Sequence, residues 1–415
     1  MWRTRGRALP AAAAVVVAAA VGLAACGALG GGSASGQDIV IGVPMSLTGS
    51  QSREGALARQ GYDLWLRWVN GQGGIAVGGA RHRVRLRYAD DESRPDLSAQ
   101  VTERLVSADR AQFLLGPYGS AATASDAVVA EKDGVPMVEG NGAAEAIFEQ
   151  GHRYVFGVLS PASKYLTGVL DMAETLNPRP TTVAVLSADD GFSLEVSKAV
   201  SDAATAMGFQ VVSSDRYPNG STNLSGLVAN ARARNPDIVL NSGHLQEAIA
   251  IHKAARDLRL DARLFAYSVG PSTPDFVTAL AGDANFVVDG SQWTPQVRYR
   301  QSFYLSVPDY VTAYRKQFGT QDEPDYHVAE STAACLSLQQ AIENAGSLRP
   351  ARVRDALAAL DVVTFFGRIK FDSRGLNVYK PMVVEQIQDG RHRTVWPAEV
   401  ADARPQYPTP AWSAR

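Results

Sequence analysis

Short apolar runs alternate with amphipathic stretches along most of this chain, and that alternation leaves few folds open. Ile39-Val40-Ile41-Gly42-Val43 is apolar throughout and β-branched except at Gly42, the pattern of a strand covered on both faces. Leu57, Gly61, Leu64, Trp65 and Trp68 then share one face of a helix that Asn70-Gly71 stops. Val84, Leu86 and Tyr88 alternate with arginines as a half-exposed strand. A helix with Leu97, Val101 and Leu105, a strand from Phe113 to Leu115, a helix from about Ala121 to Lys132 and a strand from Val135 to Val138 continue the series. Repeated βαβ units require a parallel sheet with helices on its faces, so the expected class is α/β.

The pattern then restarts. Tyr154 to Val158 reads as a strand leading to Pro161 and a helix with Tyr165, Leu166, Val169 and Leu170. Val183 to Leu186 is a buried strand, and Phe192, Val196 and Val200 mark the next helix. Phe209 to Val212, Ile238 to Leu240 and Leu264 to Ala266 are further strands; one intervening helix carries Ala248, Ile251, Ala255 and Leu258. Each set has the usual size of one domain. Toward the C-terminus come helices at Val311 to Phe318, His327 to Asn344 and Ala351 to Leu360. Strands follow at Arg368 to Asp372 and Met382 to Gln388, with Asp389-Gly390 as a hairpin turn. Such a segment can return to complete both sets.

The N-terminus points out of the cytoplasm. Arg3, Arg5 and Arg7 precede an apolar run from Leu9 to Ala25 that ends in Leu23-Ala24-Ala25-Cys26. This is a secretory signal, and the run is shorter than the ~20 residues a membrane span needs. Its ending resembles the lipobox of bacterial lipoproteins. That resemblance implies cleavage before Cys26 and a diacylglycerol on its thiol; the plainer reading is an ordinary cleaved signal with an incidental cysteine. Residues 27–37 form a Gly/Ser-rich tether, or simply a disordered terminus. With three leader arginines removed, the formal charge falls from −2 to −5, which argues against a nucleic-acid partner. Of two cysteines, Cys335 is left without a partner if Cys26 carries lipid, so no intrachain disulfide is expected. Cys335 reads as a plain buried thiol.

Several segments, in this order and spacing, carry a resemblance: Ile41-Gly42-Val43-Pro44-Met45-Ser46-Leu47-Thr48-Gly49, Leu115-Gly116-Pro117-Tyr118-Gly119-Ser120, Gly134-Val135-Pro136-Met137-Val138, Val185 to Phe192, and Asn235-Pro236-Asp237-Ile238-Val239. From about Asp38 to Pro397 the chain resembles the type I periplasmic solute-binding proteins of ABC importers, in the branched-chain amino-acid (leucine-binding) group. The resemblance implies two Rossmann-like lobes with parallel sheets joined by three crossovers, placed near Gly157–Pro161, Asp289–Pro295 and Gly375–Pro381. It divides the chain into a leader (1–26), a tether (27–37), lobe 1 (38–158 and 290–376), lobe 2 (159–289 and 377–400) and a tail (401–415). Ligands of open α/β sheets bind beyond the carboxyl ends of strands. Two facing sheets therefore make a cleft whose closure buries a small solute.

Candidate ligand contacts follow from those strand ends. Ser46, Leu47, Thr48 and Gly49 offer backbone N–H groups to an anion, or form a simple turn. Tyr118, Gly119 and Ser120 lie between a strand and a helix, where Ser120 caps the helix or presents its N-terminus to a carboxylate. In the family this loop holds the ligand carboxylate. Asn141, Gly142 and Ala143 follow the next strand; the family places a hydroxyl where Ala143 stands, so a side-chain hydrogen bond is missing there. In the second lobe Asp190 faces an ammonium or starts a helix, beside Phe192. His244 takes a place where relatives carry an aromatic, or is a surface histidine. Tyr267 and Ser268 follow a strand where amino-acid binders offer an acid, yet none stands between Arg263 and Pro274. Trp293, at the second crossover, walls the cleft or fills the core. Tyr326, His327 and Glu330 open a helix facing the same region, with Glu330 either an ammonium partner or part of a solvated face.

These readings converge on a monomeric, lipid-anchored, extracytoplasmic substrate-binding protein of an ABC importer. It would capture an amino acid or related small carboxylate and pass it to a permease. A binder of aromatic or aliphatic carboxylates or amides lacking an amine is the alternative, as is a sensor accessory protein. No Gly-x-Ser-x-Gly, His-Glu-x-x-His or Walker-type motif is present and the six histidines show no metal spacing, so neither an enzyme nor a cofactor or metal is expected.

Overall fold

The computed structural model describes residues 37–415; the leader, Cys26 and all of the tether but Gln37 lie outside the described residues. Two sheets organise the chain. The first has five parallel strands in the order Val84–Asp90, Ile39–Met45, Phe113–Leu115, Met137–Glu139, Val155–Gly157. The second has seven, in the order Arg391–Trp396, Val383–Gln388, Val288–Ser291, Leu264–Tyr267, Ile238–Ser242, Thr182–Ala188, Gln210–Tyr217. Its first five strands in chain order are parallel, and the last two add as an antiparallel hairpin. Asp389 and Gly390 turn that hairpin with positive φ at both positions, as a two-residue type I′ loop demands.

The inner strands are apolar because helices cover both faces, whereas Val84–Asp90, Gln210–Tyr217 and Arg391–Trp396 are half-exposed and carry charges; the helices obey the same logic. Helix Ser52–Gly71 buries Leu57, Tyr62, Leu64, Trp65 and Val69. It packs on the long helix Tyr326–Ala345, where a Cβ on Gly61 would come within 2.2 Å of the Val328 carbonyl. This long helix is buried along nearly its whole length. It is therefore a core element of the first lobe, and its first turn emerges at the lobe interface. Cys335 sits on it, fully buried and free. Two short hairpins, Ile75–Val77 with Ala80–His82 and Asp361–Thr364 with Gly367–Lys370, decorate the same lobe. Among the described residues no helix is long and apolar enough to cross a membrane.

The chain passes between the sheets after Gly157, after Ser291 and after Leu376. Residues beyond 400 are not a loose appendage. Gln386 holds the Gln406 backbone from both sides, at 2.7 and 3.0 Å, and Gln388 donates to the Arg404 carbonyl. Trp412 donates to the Leu260 carbonyl and packs 5.2 Å from the His252 ring, while Arg415 lies over its indole. This strap closes the outer face of the second lobe. Trp412→Ala is expected to lower stability by about 2 kcal/mol, below the value for a fully buried tryptophan because one edge stays exposed. A lowered urea midpoint at unchanged slope is the check.

Candidate functional site

The carboxyl ends of both sheets converge on one enclosed chamber. From the first lobe come Tyr118, Gly119 and Ser120, after strand Phe113–Leu115, and Asn141 and Ala143, after strand Met137–Glu139. From the second come Phe192, His244 and Val269, each just past a strand end, with Tyr165 from the first crossover segment. Tyr326, His327 and Glu330, in the first two turns of the long helix, close the remaining side. The void left between them is only about 20 Å³, space for roughly one water. Larger depressions of about 620 Å³ around Arg374 and about 740 Å³ between Arg315 and Arg393 lie elsewhere. The chamber is preferred over them because strand ends of both sheets meet there.

Two contacts hold the lobes together at its rim. Arg53 and Asp275 pair at 2.5 Å. The Glu195 carboxylate accepts the Glu145 and Ala146 amides at 2.6 and 3.1 Å.

Each wall has a local cause. Ser120 is the first residue of helix Ser120–Asp133, whose leading amides lack intrahelical acceptors. Its hydroxyl accepts the Ala144 amide at 3.1 Å, tying two loops together, and its own proton stays free to donate. Gly142 admits Thr123, whose Oγ1 would lie 2.4 Å from a Cβ there. Behind this loop Glu139 is wholly buried, accepting from Thr123 Oγ1 at 2.9 Å and from the Asn141 amide. Burial pushes its carboxyl up to about 7, against those hydrogen bonds. Asn141 donates to Ser331 Oγ at 3.1 Å, which fixes its amide against the long helix.

The electrostatics are uneven. Burial disfavours charge on both His244 and Asp190, but their mutual contact at 3.5 Å overrides it. Hydrogen bonding to Asp190, with Glu247 and Glu54 beyond, lifts His244 to about 9, and Asp190 falls to about 2. His244 is thus an imidazolium at neutral pH, with Nδ1 lacking a protein partner. Glu330 is the opposite case. Burial, then Asp325 and Glu139, push its carboxyl well above the usual range, and its Oε2 has no partner. The Tyr326 hydroxyl is likewise unpaired. His327 is held by Asp325 at 2.9 Å and stacks 4.2 Å from Tyr326.

Other expectations need correction. Leu47 and Thr48 do not offer free amides: both donate to Asp90 Oδ1, at 3.0 and 3.2 Å, and Thr48 Oγ1 donates to Oδ2. A carboxylate of the neighbouring strand already fills that anion site. Ser268 lies behind the chamber, exchanging hydrogen bonds with the Gly243 backbone. Trp293 fills the core of the first lobe instead of walling the cleft; it packs edge-on against Tyr310 and Phe365 and donates Nε1 to the Phe365 carbonyl at 3.0 Å. Asp190 is both helix cap, accepting from Ser193, and partner of His244. Glu330 and His244 are buried, so neither is a surface group. Tyr165, Val269 and Glu54 were not singled out by sequence. Glu54 is buried in the first turn of its helix beside His244, with Oε2 unpaired.

The His244–Asp190 pair generates a pH prediction. His244's contribution to stability is complete below 6.5 and is lost as pH rises through about 9. Asp190's is present above 3.8 and is lost as pH falls through about 2. Asp190→Asn should return the His244 titration, followed by NMR, toward its ordinary value. The difference in melting temperature between wild type and variant should shrink from about pH 6 to about pH 10.

A family model described as periplasmic binding protein matches residues 38–391. The Leu/Ile/Val-binding protein homolog 8 of Brucella abortus (strain 2308) is 24% identical over 387 residues, covering 89% of this chain and 93% of its own. Among solved structures, the branched-chain amino acid transporter substrate binding protein LivJ from Streptococcus pneumoniae, in complex with isoleucine, superposes with a TM-score of 0.74. It is 20% identical, over 87% of this chain and 100% of its own. The solute binding protein of an ABC transporter from Rhodopseudomonas palustris BisB5, in complex with 3,4-dihydroxy benzoic acid, also gives 0.74. It is 16% identical, over 86% of this chain and 95% of its own.

Proposed function

We propose, because this chain belongs to the periplasmic binding protein family, that it is the extracytoplasmic substrate-binding component of an ABC importer. It captures an amino acid or related small carboxylate by closure of the two lobes and delivers it to a permease. Cys26 carries the lipid that ties it to the membrane, and it works as a monomer.

One observation carries the reading. The strand ends of both lobes deliver a helix N-terminus and an imidazolium, and the long helix an unpaired acid, into a single aromatic chamber. A ligand carboxylate is drawn to the Ser120 hydroxyl, the amides of helix Ser120–Asp133 and His244 Nδ1. An ammonium at the other end of the ligand meets Glu330, which ionises on pairing with it. Tyr118, Tyr165, Phe192 and Tyr326 supply the apolar walls. The same chamber supports a second reading, an aromatic acid without an amine. Burial keeps Glu330 protonated, hence able to donate to a neutral oxygen, and no acid follows strand Leu264–Tyr267 before Pro274.

Calorimetry with leucine, phenylalanine and 4-hydroxybenzoate separates the two. On the leading reading an amine-bearing ligand binds, and Glu330→Gln weakens it more than about tenfold, the cost of losing a charge-assisted partner. On the second, only 4-hydroxybenzoate binds, and Glu330→Gln changes it little. Ser120→Ala should weaken either ligand by about tenfold, one hydrogen bond to a charged group. Failure of all three ligands to bind would contradict both readings of the ligand.

A further inference from the structure

All three crossovers are joined by buried hydrogen bonds that the chamber does not use. Ser160, in the first, gives its amide to Gln292 Oε1 and takes Gln292 Nε2 on its carbonyl, both at 3.0 Å. Gln292 belongs to the second crossover. Lys380, in the third, accepts Ser160 Oγ on its carbonyl at 2.8 Å. Its ammonium nitrogen donates to the Gln292 carbonyl and, at 3.0 Å, to Gln292 Oε1, and lies 4.4 Å over the Phe366 ring. Ser160, Gln292 and Lys380 are 0, 1 and 4% exposed. The first two crossovers also touch through their backbones: a Cβ on Gly290 would fall 1.6 Å from the Tyr165 carbonyl.

A buried lysine without a carboxylate at ion-pair distance is costly, and it persists where surrounding acceptors hold it. Here those acceptors lie on the crossovers themselves, the segments whose dihedrals must change when lobes rotate. The one acid that acts on Lys380 is Glu330, from the chamber. Asp325 and Glu139 act in turn on Glu330. Other titratable groups nearby are the Tyr165 hydroxyl, beside Gln292 and Glu330, the Tyr299 ring, which lies with the lysine stem at Gly367, and Lys164 and Asp171, which line the same depression as Lys380. Burial pushes the Lys380 ammonium down to about 7 against the pull of Glu330, so its charge changes in the neutral range.

We propose that Ser160, Gln292 and Lys380 form a pin through all three crossovers, the segments about which the lobes close. The pin rests on geometry alone; its bearing on closure rests on the solute-binding reading.

Amide hydrogen exchange on the full chain tests the pin without any ligand. Lys380→Met keeps the volume and removes the donors, and a buried charge replaced by an apolar group need not lose global stability. The variant should raise exchange about tenfold at Ser160 and across residues 291–294, remote in sequence, while strand Thr182–Ala188 keeps its protection. Gln292→Leu should do the same, and the double variant should add little to either. In wild type the protection factors of the crossovers should change between about pH 6 and pH 9, and in Lys380→Met they should not. Should Lys380→Met fail to fold, Ser160→Ala, which removes one hydroxyl, carries the same test.

Exchange that rises only around residue 380, or effects that simply add, would overturn the pin. The bearing on closure has its own arm, the dissociation constant of whichever of leucine, phenylalanine or 4-hydroxybenzoate binds wild type. Lys380→Met should weaken it about tenfold through faster dissociation; unchanged affinity beside loosened crossovers would overturn that bearing. Were none of the three to bind, the exchange arm would still decide the pin, while the ligand class alone would be in question.

Discussion

A parallel strand must end at the same edge of its sheet as its neighbours, and that constraint places the chamber. Five strand ends, those of Phe113–Leu115, Met137–Glu139, Thr182–Ala188, Ile238–Ser242 and Leu264–Tyr267, each release a loop toward the opposite lobe. Loops so anchored carry the chamber-facing groups, and the inner strands behind them form the buried core. The long helix Tyr326–Ala345 supplies the one wall that is not a strand end. Its position depends on Gly61, where no side chain fits between the two helices.

Within this frame the chamber is electrically asymmetric. His244 is a buried cation maintained by Asp190, and Glu330 a buried acid whose carboxyl desolvation and its acidic neighbours push well above the usual range. An anion entering near Ser120 gains from the helix N-terminus and from His244 together. At the other end, Glu330 can ionise for an ammonium or stay protonated for a neutral oxygen. The two proposed ligand classes differ in that one proton.

Much of the architecture was legible as periodicity. Apolar runs bounded by glycine and proline became the parallel strands, and Asp389-Gly390 became the hairpin turn. Tyr118, Ser120, Asn141, Phe192 and Tyr326 were legible as strand-end or helix-start residues. What sequence could not supply was direction and non-local pairing. Leu47 and Thr48 have the composition of an anion nest, but Asp90 comes from a strand more than forty residues away. Trp293 stands at a crossover, and only the position of Phe365 decides that its indole turns inward. Glu330 has a helix spacing compatible with solvent. Its burial comes from packing against both lobes, which no local pattern encodes. Tyr165 read as part of the helix now seen at Thr167–Glu174, but it lies in the turn before that helix, buried, with its ring reaching the chamber.

The most direct measurement of the central claim is differential amide hydrogen exchange, with and without a mixed pool of amino acids and aromatic acids. Capture by closure predicts simultaneous new protection at Tyr118–Thr123 in the first lobe and at Asp190–Ser193 and His244–Ala248 in the second. Protection confined to one lobe, or centred on the depression around Arg374, would contradict it.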